Sequence, residues 1–95
     1  MTLAEFKEST KQSAPPANLN TLLQALWHDA KGNWDKAHEL AQEVETPAGS
    51  WIHAYLHRKE GDLGNASYWY SRAKQPVCNK QLDEEWDEIA TALLR

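Results

Sequence analysis

The chain has one cysteine, one methionine and one phenylalanine among its 95 residues. A single thiol, Cys78, excludes an intrachain disulfide and fits a reducing, cytoplasmic setting. Two valines and two isoleucines leave β-branched residues too sparse to alternate with polar ones, so strand signals are absent. No apolar run is long enough to span a bilayer. The opening MTLAEFKEST has no basic stretch followed by an apolar one, so no secretory leader is expected. Lys and Arg number 10 against 14 Asp and Glu, for a net charge of −4. Without clustered Lys and Arg to neutralise phosphates, nucleic acid is not an expected partner. No Gly-rich phosphate loop is present either, since KGNWDK carries one glycine and reads as a helix–helix turn.

The hydrophobic fraction of 41% and the charged fraction of 25% are ordinary for a globular domain. Five tryptophans are not, and they supply the large apolar areas a small core needs. Apolar residues recur at helical spacing. Leu19, Leu22, Leu23, Leu26, Trp27 and Ala30 form one stripe, with Asn18 as its expected cap and Gly32 as its end. Trp34, Ala37, Leu40, Ala41 and Val44 form a second, capped by Asn33, with Asp35, Lys36, Glu39 and Glu43 on the wet face. Pro47 opens a third helix, about 48–60, closed by Gly61. Asp62 caps a fourth that runs to about Lys74, and Pro76 ends the region. A fifth, about 80–94, carries Leu82, Trp86, Ile89, Ala90, Leu93 and Leu94, with acidic residues in its first turn where the helix dipole favours them. LAEFK predicts a short helix, and STKQSAPPAN a linker.

Shifted by 29 residues, the chain matches itself. Ala25 falls on Ala54, His28 on His57, Gly32 on Gly61, Ala37 on Ala66 and Pro47 on Pro76. Each unit reads helix, Gly turn, helix, Pro, and neither can bury its apolar stripe alone. The pattern resembles the tetratricopeptide repeat. The match lies in the small residues Ala25 and Ala54, the turn glycines, the large Trp34 and Leu63, the small Ala37 and Ala66, and the closing prolines. It covers roughly 19–76, with a unit shorter than the usual 34 residues. Thr21 and Ser50 stand where that family has a large aromatic, and His28 and His57 where it has a tyrosine. The string from ALWHDAKGNWDKAHELAQE to HRKEGDLGNASYWYSRA is also similar to a family of small bacterial proteins without an assigned activity, which implies a bacterial, cytoplasmic origin. The fold class expected is therefore all-α. An N-terminal arm and linker (1–18) precede one helical-repeat domain (19–95), made of hairpins 19–47 and 48–76 and a capping helix 80–94.

Two kinds of chemistry compete. His53 and His57 are i, i+4 on one helix face, and His28 holds the equivalent place in the first unit. The three could hold a divalent metal such as zinc, with Glu60 as a further ligand. HAYLH lacks the glutamate that follows the first histidine of a zinc-protease helix. Equally, His28 and His57 can be neutral packing residues set against Ala37 and Ala66. His57, Glu60, Tyr70 and Arg72 can be drawn together as an acid–base site, yet no catalytic motif supports it, and Cys78 has no activating base beside it. The repeat resemblance implies a different site, a concave first-helix surface of Leu22, Leu26, Asp29, Trp51, Tyr55, Arg58 and Lys59. There Trp51 and Tyr55 would anchor a peptide or protein, and Arg58 and Lys59 would select its acidic groups, with Asp29 on the same face. A stripe this apolar can instead be covered, by Leu3 and Phe6 of the arm or by a second copy of the chain in a homodimer. Tyr68 and Arg72 are spaced for a cation–π pair. The sequence thus points first to a small protein-interaction module, and to that more than to an enzyme. Its alternative is a metal- or small-molecule-binding protein, or an enzyme, that uses His28, His53 and His57.

Overall fold

A computed structural model describes residues 1–95 as six helices with no strand. They are α1 (Leu3–Ser9), α2 (Thr21–Ala30), α3 (Trp34–Gln42), α4 (Pro47–Lys59), α5 (Leu63–Ala73) and α6 (Leu82–Leu94). The pairs α2/α3 and α4/α5 are hairpins, and α4 lies at the centre, packed on α2, α3, α5 and α6. The sequence of α4 explains its place. Six consecutive residues, Ile52 to His57, are buried, so the helix has no wet face along that stretch.

The two hairpin turns are built alike. Gly32 and Gly61 adopt φ of +83° and +88°, which a residue with a Cβ rarely takes. Around each, the helix ends in a Schellman pattern. Asn33 N–H donates to the His28 carbonyl at 2.9 Å, and Asp62 N–H to the His57 carbonyl at 2.9 Å. Asn33 and Asp62 then cap the next helix through their side chains. His28 and His57 are therefore equivalent in backbone position.

The expected cap at Asn18 is corrected. Asn20 caps α2, accepting from Leu23 N–H at 2.8 Å, while Asn18 sits at φ +72° in the preceding turn. Both are competent capping residues, and the turn decides between them. Thr46 caps α4, with Pro47 in its first turn, where a missing N–H costs nothing. Gln81 precedes α6 without a side-chain cap, and the acids Asp83, Glu84 and Glu85 fill its first turn.

Tryptophan N–H groups tie the elements together. Trp27 donates to the Ser9 carbonyl, Trp34 to that of Leu56, Trp86 to that of Leu26, and Trp51 to the Glu85 carboxylate. The arm is part of the main core: Phe6 is fully buried and stacks on Trp86 with ring centroids 5.4 Å apart.

The first-helix face predicted to bind a partner is covered by α6 and α1. Tyr55 and Asp29 are 2% and 3% exposed. Tyr55 Oη donates to Asp29 Oδ2 at 2.8 Å, and Lys59 Nζ to Asp29 Oδ1 at 2.9 Å. Glu85, on α6 and 1% exposed, accepts from Trp51, Tyr70 and Arg58. Arg58 also donates to the Lys80 carbonyl at 2.8 Å. Trp51, Tyr55, Arg58, Lys59 and Asp29 are thus engaged in a network around two carboxylates, while Asp29, Tyr55 and the exposed Lys59 also line a pocket of about 550 Å³ between α1, α2, α4 and α6.

Candidate metal centre

The histidines converge on the other side of α4, where it meets α3 and α5. His38 of α3 faces His53 and His57 of α4, and one ring nitrogen from each lies within 4.8 Å of the others. His38 Nε2 and His53 Nε2 are 2.9 Å apart, so one ring donates a hydrogen bond to the other. A zinc–nitrogen bond of about 2.0–2.1 Å places two tetrahedral ligands roughly 3.3 Å apart. The His38–His53 spacing falls slightly below that value, and the His57 nitrogen lies within 4.8 Å of both.

His28 does not take part. It lies at the edge of α2, its ring edge-on to Trp27 at 5.1 Å, outside the cluster. His38 takes the place expected of it. That residue occupies an α3 position with no histidine in the second unit, so the internal comparison did not single it out. The signal available was the packing of consecutive helices, which sets α3 on α4.

Two indoles flank the imidazoles. Trp34 stacks on His38 at 4.9 Å, and Trp69 stacks on His53 at 3.9 Å. Trp34 is fixed by its bond to α4, whereas Trp69 makes no such bond and lies half-buried over His53. His57 Nδ1 pairs with Glu60 Oε1 at 2.6 Å. A carboxylate on the outer nitrogen leaves Nε2 as the basic nitrogen and fixes the ring, the usual support of a ligating histidine. Asn65 Nδ2 stands 3.4 Å from that Nε2.

The electrostatics favour neutral rings at His53 and His38. Burial, then the positive charge of His38 and His57, pushes the His53 pKa down to about 4. Burial and His57 also lower that of His38, although Glu60 and Asp35 pull the other way. Neutral imidazole is the form that binds a metal. A second grouping, His57 with Glu60 and Asp62, lies at the exposed end of α4, but Asp62 already caps α5.

The residues of the paper acid–base site separate. Tyr70 donates to Glu85 beneath α6, away from His57 and Glu60. Its phenol is raised well above the ordinary range by burial and then by the Glu85 bond and charge. Arg72 Nη1 donates to Tyr68 Oη at 3.1 Å, with its guanidinium over the Tyr68 and Trp69 rings. Cys78 is a free thiol, and its sulfur accepts from Arg58 Nη2 at 3.9 Å. Comparison of the chain with family models, with curated proteins and with solved structures finds no match.

Proposed function

We propose that the protein binds one divalent transition-metal ion, zinc being the reference case, through His38, His53 and His57. The observation that carries this reading is the convergence of three ring nitrogens within 4.8 Å on two facing helices. Glu60 on the outer nitrogen of His57 supports it. An all-imidazole set suits zinc, copper, iron or nickel and disfavours calcium or magnesium. Three protein ligands also leave a coordination position open, as zinc sites that meet water or a ligand do.

Docking of a peptide, a protein or a second copy on the first-helix face has less support, since all five of its residues already hydrogen-bond within the molecule, although Asp29, Tyr55 and Lys59 line a pocket of about 550 Å³ there. The helix order and the two matching Schellman turns support reading the hairpins as tetratricopeptide-like. No helix is long and apolar enough to cross a membrane.

The test is zinc titration of the metal-free protein by calorimetry, with the metal content of the purified protein measured alongside. One zinc per chain is expected. His38→Ala and His53→Ala should each abolish binding, and His28→Ala should retain it. Glu60→Gln should weaken binding by about 10–100-fold, the range for a group that orients a ligand. Absence of zinc uptake, or an unchanged affinity in His38→Ala, refutes the reading. The cluster would then be imidazole packing alone.

A further inference from the structure

Next to the metal centre, two buried polar side chains each present an atom that no protein group satisfies. His53 and Ser50 are 7% and 8% exposed, one turn apart on α4. His53 bonds through Nε2 alone, and the Ser50 hydroxyl has no partner. No buried side-chain nitrogen or oxygen lacks a partner in this structure, so both atoms reach solvent. The opening is a pocket of about 180 Å³ that Ser50, His53, Trp69 and Arg72 line together. Ala41, Val44 and Gly49 give it an apolar part. Arg72 brings a positive charge that no carboxylate neutralises, since none of the ion pairs in the molecule involves it.

Metal binding gives these atoms a purpose. Once Nε2 of His53 holds the ion, its proton must sit on Nδ1 and be donated to an acceptor. For His57 the acceptor is Glu60. For His53 no protein acceptor is bonded to Nδ1, and the exposed Glu45 carboxylate lines the same pocket without bonding to it. We propose that a small carboxylate with a short apolar tail fills this pocket, accepting from His53 Nδ1–H, the Ser50 hydroxyl and the Arg72 guanidinium. A carboxylate matches the planar fork of an arginine. Glu45 also lines the pocket and opposes any anion there, so the ligand carries a single negative charge and sets it beside Arg72. The volume is below the ~300–1,000 Å³ of pockets for drug-sized ligands, so the tail is a few carbons long.

The inference rests on the metal reading and couples to it. The anion holds His53 in the tautomer that ligates, so each ligand must tighten the other by the same factor. The experiment measures zinc affinity in a buffered chelator competition with butyrate, with its neutral isostere butyramide, and with neither. Butyrate should raise zinc affinity about fivefold or more, a coupling at the lower end of those known between sites. Butyramide should have no effect. In Arg72→Gln the ratio of affinities with and without butyrate should fall to one. Zinc binding indifferent to butyrate overturns this inference and leaves the metal site standing, as does a butyrate effect that survives in Arg72→Gln. No zinc binding under any condition overturns both.

Discussion

Glu85 shows how much one side chain can organise. It is 1% exposed, and its two oxygens take hydrogen bonds from Tyr70 at 2.8 and 2.6 Å, from Arg58 at 3.1 Å and from Trp51 at 3.2 Å. Burial works against the charge of Arg58, yet the bond and charge of Glu85 outweigh it and hold the guanidinium protonated. Breaking a buried ion pair from one side typically costs about 3–5 kcal/mol, because the remaining charge has no partner. Arg58→Glu sets two carboxylates against each other and is expected to lose at least that much, read as a lower urea midpoint. A residue on an open docking face would change stability by no more than about 0.5 kcal/mol. The sequence placed Trp51, Tyr55, Arg58 and Lys59 on one helix face, and they share it. What covers that face was not legible, because Glu85 lies 34 residues beyond Trp51. In its own neighbourhood it reads as an ordinary first-turn acid. His38 was missed for the same reason: its partner His53 is 15 residues away on another helix.

Helix starts and stops were the most readable elements, since caps and turn glycines act over three or four residues. Asn33, Gly32, Pro47, Gly61 and Asp62 all perform the expected local task. Two positions add what periodicity could not supply. Lys74 ends α5 at φ +60° and makes the same Schellman bond, Gln75 N–H to the Tyr70 carbonyl at 3.1 Å. A left-handed conformation strains an L-residue by roughly 1–2 kcal/mol. Part of that relief is offset by the greater freedom of an unfolded glycine chain. Lys74→Gly is therefore expected to stabilise by up to about 1 kcal/mol, measured as a higher urea midpoint with an unchanged slope. Gly49 presents the opposite case. A Cβ there would collide with the Val44 carbonyl oxygen, a backbone atom that cannot swing aside. Gly49 lets α4 start directly against the end of α3, the junction that brings His38 to His53. Gly49→Ala should destabilise by about 1–3 kcal/mol, as overpacking does, and should weaken zinc binding as well. A tolerated alanine with full zinc affinity would show that this approach is not needed.

At the scale of the whole molecule, the stack of buried imidazoles makes folding sensitive to mild acid. An unfolded histidine titrates near about 6.5, whereas His53 in the fold is held down to about 4. His38 is lowered in the same direction by burial and His57, and His28 by burial and Lys36. Between these values the unfolded chain binds more protons than the folded one, so stability falls as pH falls. The contribution is complete above pH about 6.5 and is lost as pH drops toward 4, with no opposite arm on the alkaline side of that window. On the proposed metal reading, zinc would steepen the same dependence, because all three rings must be deprotonated to ligate. At a free zinc concentration 100 times the dissociation constant the fold gains about 2.7 kcal/mol, and that gain should shrink as the pH approaches 5. The measurement is the melting temperature at pH 7.5 and 5.0, with and without zinc, for the native chain and for His53→Asn. The native metal-free protein should melt lower at pH 5.0. His53→Asn has no imidazole to protonate at that position, so its drop should be smaller, and zinc should not raise its Tm at either pH. Equal pH slopes in the two metal-free proteins would mean that His53 is not held neutral by the fold. The acid sensitivity would then have to come from elsewhere in the molecule.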